Sequence, residues 1–209
     1  QLIADRASFV DSIMQSAWGR FNWNQNLTSW RKTRISLLAD GGYGRAELHP
    51  HSDIDLLNLL ERSNYDLHRE NIQSFVTLLW DIGLEVGHSV RSLKECRRQA
   101  SADVTVLTAL MEARAIAGDV ELSCRILRQL APHKIWSPKQ FYKAKSEEQK
   151  ARHKKFNHTE YSLEPNIKNS PGGLSDIQTL LWIPKRIIRT HTVEELVEKK
   201  VLTEGEGAT

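Results

Sequence analysis

Two short clusters in this 209-residue chain have the residue types and spacing for chemistry. The first is Gly41-Gly42-Tyr43-Gly44-Arg45, directly after an apolar run. The second is Ser52-Asp53-Ile54-Asp55-Leu56, at the opening of another. Side chains two apart on a β-strand point to the same side, so Asp53 and Asp55 are expected to share a face with their oxygens converging. Mg²⁺ takes oxygen ligands and commonly binds through one or two carboxylates together with substrate phosphates. Glycines let backbone N–H groups approach those phosphates without interference from a Cβ. The combination suits movement of a nucleotidyl group.

A lone Asp-x-Asp is a weak signal. The bland alternative is a β-turn glycine pair followed by a strand that opens with two surface aspartates. It does not account for two acids on one face of an otherwise apolar strand, where an unpaired charge is costly and a metal makes it tolerable. The glycine cluster is not a Walker loop, because no Gly-Lys-Ser/Thr follows. It is not a dinucleotide fingerprint either, since Gly42-Tyr43-Gly44-Arg45-Ala46-Glu47 lacks the third glycine. Kinase and dehydrogenase chemistry lose ground accordingly.

The elements that position these clusters follow from periodicity. Leu2, Ile3, Phe9, Val10, Ile13, Met14 and Trp18 predict an amphipathic helix over 2–18. Residues 22–34 read as loop plus a short helix. Ile35–Ala39 is a short apolar strand, Gly41–Gly44 a turn, and Arg45–Leu48 the start of a helix or turn that Pro50 ends. Asp53–Leu60 is a second strand, apolar on both faces beyond the aspartates and therefore central. Ile72, Phe75, Val76, Leu79 and Trp80 follow helical spacing up to a stop at Gly83. Leu84–Val90 reads as a third strand, and Ser92-x-x-Glu95 as a capping box. A helix is expected to start at Asp103, with a strand around Leu110–Ile116 and a further helix from Gly118-Asp119 through Leu130. Beyond Pro132 and Ser137-Pro138, residues 139–160 predict a long solvated helix, 169–173 a loop, and Asp176–Arg189 an amphipathic helix. The fold class expected is α+β: a small mixed sheet with flanking helices over 1–130, then an all-helical part over 131–209.

Composition excludes several classes. The chain is 40% hydrophobic and 26% charged, as a soluble globular protein would be, and its net charge of +3 is too small to argue by itself for a nucleic-acid partner; none is expected. Cys96 and Cys124 form no CxxC, so neither a zinc site nor a disulfide framework is suggested. No apolar run reaches about 18 residues, which argues against a membrane span, and no signal segment opens the chain. Cytoplasmic localisation is the default. The opening Gln1–Arg6 reads as mid-helix without an initiating Met, so a fragment of a longer chain is expected.

The stretch Gly41-Gly42-Tyr43-Gly44-Arg45-x-Glu47-Leu48-His49-Pro50-x-Ser52-Asp53-Ile54-Asp55-Leu56-Leu57 resembles the signature of the bacterial PII uridylyltransferase/uridylyl-removing family, which belongs to the DNA polymerase β-like nucleotidyltransferase superfamily. A second stretch, Asn166-Ile167-Lys168-x-Ser170-Pro171-Gly172-Gly173-Leu174-x-Asp176-Ile177-Gln178-Thr179-Leu180, resembles the helical segment that follows the transferase domain there. The resemblance implies a polymerase β-like domain over 1–130 and a truncated helical uridylyltransferase-associated domain over 131–209. It implies Mg²⁺-dependent transfer of UMP from UTP to a tyrosine of the PII signalling protein, with release of pyrophosphate, in nitrogen regulation. Asp53 and Asp55 would hold Mg²⁺. Gly41, Gly42, Arg45 and Ser52 would sit at the nucleotide. The superfamily usually supplies a third carboxylate from a later strand, and Glu112, with Arg114 on the same strand face, is the candidate; a plain surface salt bridge between the two is the alternative.

Some residues depart from the family pattern. Asp40 stands where an apolar or small residue is expected, Asn58 interrupts an apolar strand, and Ser175 replaces an arginine. The family's HD hydrolase and ACT domains are not in this sequence, so neither uridylyl removal nor a glutamine response is expected of it. His49 and His51 read as structural, and His153 and His158 as solvated. The loop at Ser170–Asp176 could close over the nucleotide or serve as an interdomain turn. The six tryptophans read as core and interface residues, with stacking on uracil left open. Two other readings stay in play: a transferase of the same fold using ATP or another protein acceptor, and a catalytically silent nucleotide-binding module.

Overall fold

A computed structural model describes residues 2–23, 34–50, 52–155, 166–188 and 193–198. The chain divides into two compact units, 1–131 and 132–209.

The first unit is built on a four-stranded mixed sheet. Its strands are β1 (Ile35–Ala39), β2 (Ile54–Leu60), β3 (Val86–Ser92) and β4 (Arg114–Gly118), in the spatial order β3-β2-β1-β4. β1 runs antiparallel to both β2 and β4, while β2 and β3 are parallel. A parallel pair needs a crossover, and here it carries helix α3 (Arg69–Asp81). β1 is buried at every position, and β2 at every position except Asp55, as a central location requires. The strand expected from Asp53 begins at Ile54, and the one expected from Leu84 begins at Val86 and runs on to Ser92.

Alternation along β1 splits the core into two faces. Ile35, Leu37 and Ala39 pack with Leu56 and Leu60 against helix α1 (Leu2–Trp18) and α3, which contribute Val10, Met14, Trp18, Phe75 and Leu79. Burying one such side chain contributes about 1.5–3 kcal/mol. Ser36 faces the other way, where its hydroxyl lies 2.7 Å from that of Ser123. Ser123 belongs to α6 (Val120–Gln129), whose first turn Asp119 caps by accepting from the Leu122 N–H. Between β3 and β4 the chain forms α4 (Leu93–Ala102) and α5 (Val104–Glu112). The capping box at the head of α4 is present with both reciprocal bonds, Ser92 to Glu95.

The strand expected around Leu110–Ile116 is corrected. Asp103 accepts from the Thr105 N–H at 2.7 Å and opens α5, whose buried Val104, Leu107, Thr108 and Leu110 follow helical spacing. The helix ends at Glu112; Ala113 then turns extended (φ −58°, ψ 131°), and only Arg114–Gly118 joins the sheet. An apolar run buried as a short helix carries no period that separates it from a buried strand.

The described elements of the second unit are α7 (Pro138–Lys155), α8 (Leu174–Ile188) and α9 (Val193–Glu198). α7 is charged along most of its length, yet it buries Phe141 and Lys145. The Lys145 ammonium lies 2.8 Å from Glu148 and 4.5 Å from the centroid of the Trp182 ring. The short helix expected within 22–34 falls mostly outside the described residues, as do His51 and His158.

Candidate active site

The glycine cluster, expected as a turn, forms a single helical turn, α2 (Gly41–Gly44). Asp40 explains its own presence: its carboxylate caps the turn, accepting from the Gly41 N–H at 2.9 Å. Burial pushes the Asp40 carboxyl above its ordinary range, against the opposing pull of the Gly41 N–H and the charge of Arg91. The Gly41 N–H is therefore already engaged. Gly41 sits at φ +57°, a left-handed conformation that favours glycine. Gly44 lies so close to neighbouring chain that an added Cβ would meet the Glu112 carbonyl oxygen at 2.6 Å and that of Ala39 at 3.1 Å.

Tyr43 is completely buried and anchors the turn from below. Its hydroxyl donates to Asp11 of α1 at 2.6 Å, and Arg114 of β4 donates to both Asp11 oxygens at 2.6 and 3.1 Å. Arg114 also reaches the Tyr43 carbonyl at 3.3 Å. Burial, then the bond to Asp11, raises the phenol well above its ordinary range. Asp11 was not singled out from sequence, although it interrupts the buried stripe of Ala7, Val10 and Met14, which is a readable signal.

Arg45 closes the turn. Its guanidinium lies 2.7 Å from Glu47 and 2.7 Å from Glu112. Burial alone would lower its pKa, but the two carboxylates reverse that and raise it. Glu112 is thus the last residue of a helix and a partner of Arg45; it does not share a strand face with Arg114, whose partner is Asp11. Gly42 lies beneath Arg45, where a Cβ would stand 3.7 Å from the guanidinium. Ser52 ends a turn whose N–H donates to the His49 carbonyl at 3.0 Å, and Arg6 of α1 reaches that same carbonyl.

Asp53 and Asp55 line one open cleft of about 310 Å³, together with Trp80, Glu85, Val86 and Gly87. The Asp40 N–H donates to the Asp55 carbonyl at 2.9 Å, which fixes the glycine turn against the acid-bearing strand. Asp55 pairs in register with Gly87 of β3. A Cβ at Gly87 would stand 2.6 Å from one Asp55 carboxylate oxygen, and one at Gly41 would stand 3.5 Å from the other. Two missing side chains thus make the cradle for this carboxylate. Glu85, Gly87 and Trp80 were not foreseen as site residues; a glycine within a strand marks close approach and was the available sign. Among the described residues, no three acidic, His or Cys side chains converge to hold a metal ion; the sequence-expected pair Asp53 and Asp55 lines the cleft. Such a pair suits Mg²⁺, which keeps several waters and takes substrate phosphates as further ligands.

The second sequence motif forms a tie within the second unit. The Asp176 carboxylate accepts from the Gly172 N–H, Gln149 and Arg152 at 2.8–2.9 Å and lies 2.8 Å from His153 Nε2. Burial opposes its ionisation, but these donors outweigh it and hold its pKa at about 2. His153, expected to be solvated, is instead a partner of this carboxylate. Ser175 is used locally, with its hydroxyl 3.2 Å from Asn169.

Comparison with known proteins agrees with the earlier resemblance. The family model described as GlnD PII-uridylyltransferase matches residues 140–209. The bifunctional uridylyltransferase/uridylyl-removing enzyme of Ectopseudomonas mendocina (strain ymp) is 54% identical over 208 residues, covering 100% of this chain and 22% of that protein. The enzymes of the same name from Stutzerimonas stutzeri (strain A1501) and Azotobacter vinelandii (strain DJ / ATCC BAA-1303) are 53% and 52% identical over 206 residues, each covering 99% of this chain and 22% of the relative. The chain therefore spans about a fifth of the length of the curated relatives it matches. Among the described residues, no helix is long and apolar enough to cross a membrane.

Proposed function

This chain belongs to the family of bifunctional uridylyltransferase/uridylyl-removing enzymes, and from that premise we propose that it carries their transferase chemistry, moving UMP from UTP to a tyrosine of the PII protein. The fold this reading calls for is the polymerase β-like nucleotidyltransferase domain, followed by a helical associated domain. The observation that carries the proposal is the Asp53/Asp55 cleft beside the capped glycine turn.

The residues present fit Mg²⁺: three carboxylates, those of Asp53, Asp55 and Glu85, line a cleft without a basic side chain among its lining residues, and two glycines leave room around Asp55. Asp53 and Asp55 would be its protein ligands. A bound Mg²⁺ supplies neutralisation of charge on the triphosphate and on the departing pyrophosphate. The chain's own residues do the rest. The phenol oxygen of the acceptor attacks the α-phosphorus, the α–β bridging bond breaks, and a carboxylate of the cleft takes the phenol proton. A phenol of pKa about 10 is a poor nucleophile until that proton leaves. Arg45 meets the triphosphate on the side held by half-exposed Glu47, while buried Glu112 keeps the guanidinium in place. Glu112 serves here as a positioning residue for Arg45, which leaves the third-carboxylate role unassigned.

Labelled UTP, Mg²⁺ and purified PII test the reading. Label is expected on PII with this chain and is expected to fall at least about 100-fold in the Asp53→Asn/Asp55→Asn double variant. Label arriving from ATP instead of UTP, or no label from a chain shown to be folded, overturns it.

A further inference from the structure

Trp80 is large, aromatic and 53% exposed, and it stands at the wall of the cleft that holds Asp53 and Asp55. Its neighbours on the same helix, Val76 and Leu79, are buried in the core, so the helix had an apolar face available and did not use it for this ring. Among the described residues its ring contact is with His88, tilted at 66° with centroids 6.2 Å apart, and no ring stacks parallel to it. Three residues on, Gly83 at φ +83° turns the chain towards β3, which brings Glu85, Val86 and Gly87 to the same cleft.

We propose that Trp80 is the platform on which the nucleobase of the substrate stacks. This rests on the nucleotidyltransferase reading above and adds a direction to it. Asp55 lies between Gly41 on the β1 side and Gly87 on the β3 side. A nucleotide whose phosphates face the glycine turn across the acid pair has its base on the β3 side, and Trp80 is the aromatic side chain lining the cleft there. Stacking tolerates any base, because every base has a π-face. Trp80 thus supplies affinity for a nucleotide without choosing between uracil and adenine.

Calorimetric titration of the 209-residue chain with Mg²⁺ and either UTP or inorganic tripolyphosphate separates the possibilities. Trp80→Ala is expected to weaken UTP about tenfold or more and to leave tripolyphosphate unchanged. Trp80→Phe is expected to restore most of the UTP affinity, which a purely structural role of the indole would not do. Equal UTP affinity in Trp80→Ala and the parent overturns the proposal, as does an equal loss for tripolyphosphate. Unchanged nucleotide affinity with reduced transfer to PII makes Trp80 an acceptor contact and also overturns it. A folded parent chain that binds neither ligand overturns the transferase reading itself, and stacking with it.

Discussion

Asn58 is the residue whose chemistry is least served by its surroundings. It sits in the middle of β2 at 0% exposure, and neither its side-chain oxygen nor its nitrogen has a hydrogen-bond partner. Burying an amide without partners costs free energy that an apolar group of similar shape does not. Asn58→Leu is therefore expected to raise stability by about 1–2 kcal/mol, read as a shift in the urea midpoint at constant slope. A loss of stability would mean that the amide makes an interaction this structure does not contain. At this scale the acid pair was legible because its signal is local, two aspartates at strand spacing. Trp80, Glu85 and Gly87 were not, because they reach the pair only through the tertiary arrangement: Gly87 through its in-register parallel pairing with Asp55, Trp80 from the end of α3 and Glu85 just before β3. Glu112 was misread for a related reason: an acid near an arginine in sequence says nothing about which arginine it meets in space.

At the scale of elements, α2 shows how little room the site leaves. Gly44 does not need positive φ; it needs the absence of a Cβ, since one would stand 2.6 Å from the backbone of Glu112. Backbone cannot swing aside as a flexible side chain can. Gly44→Ala is expected to cost about 1–3 kcal/mol by overpacking and to reduce nucleotide affinity with it, by moving α2 away from α5. Calorimetric melting together with UTP titration checks both effects; an unchanged melt would show that α5 yields. Both ends of α1 and α6, the stop of α3 and the start of α4 were readable because each is marked by an apolar stripe, a cap or a stop glycine. The boundary between α5 and β4 was not, since Val104 to Ile116 is apolar enough for either state and tertiary packing makes the choice.

Over the whole molecule, the two units are held by different forces. The first relies on apolar packing across a sheet; the second has a partly buried polar tie at Asp176. A carboxyl whose pKa is about 2 when folded and about 3.9 when unfolded contributes stability present above pH 4 and lost as the pH falls towards 2. Thermal unfolding of the chain between pH 5 and pH 2 is expected to show this loss, and Asp176→Asn is expected to flatten it. An equally steep acid limb in that variant would assign the effect to other carboxylates. The strand order β3-β2-β1-β4 was not legible beforehand: each strand could be read alone, but sequence period does not say which edges meet.

The first unit's site draws on separated stretches of chain. The capped turn and the acid pair come before residue 60, while Trp80, Gly87, Glu112 and Arg114 come after it. Between the two groups, the exposed Arg62, Ser63 and Asn64 leave the sheet. Severed there, neither piece would own a complete cleft. Restored transfer on mixing the two pieces would then act as a reporter of their reunion, because β2 can only regain its parallel neighbour from the other piece.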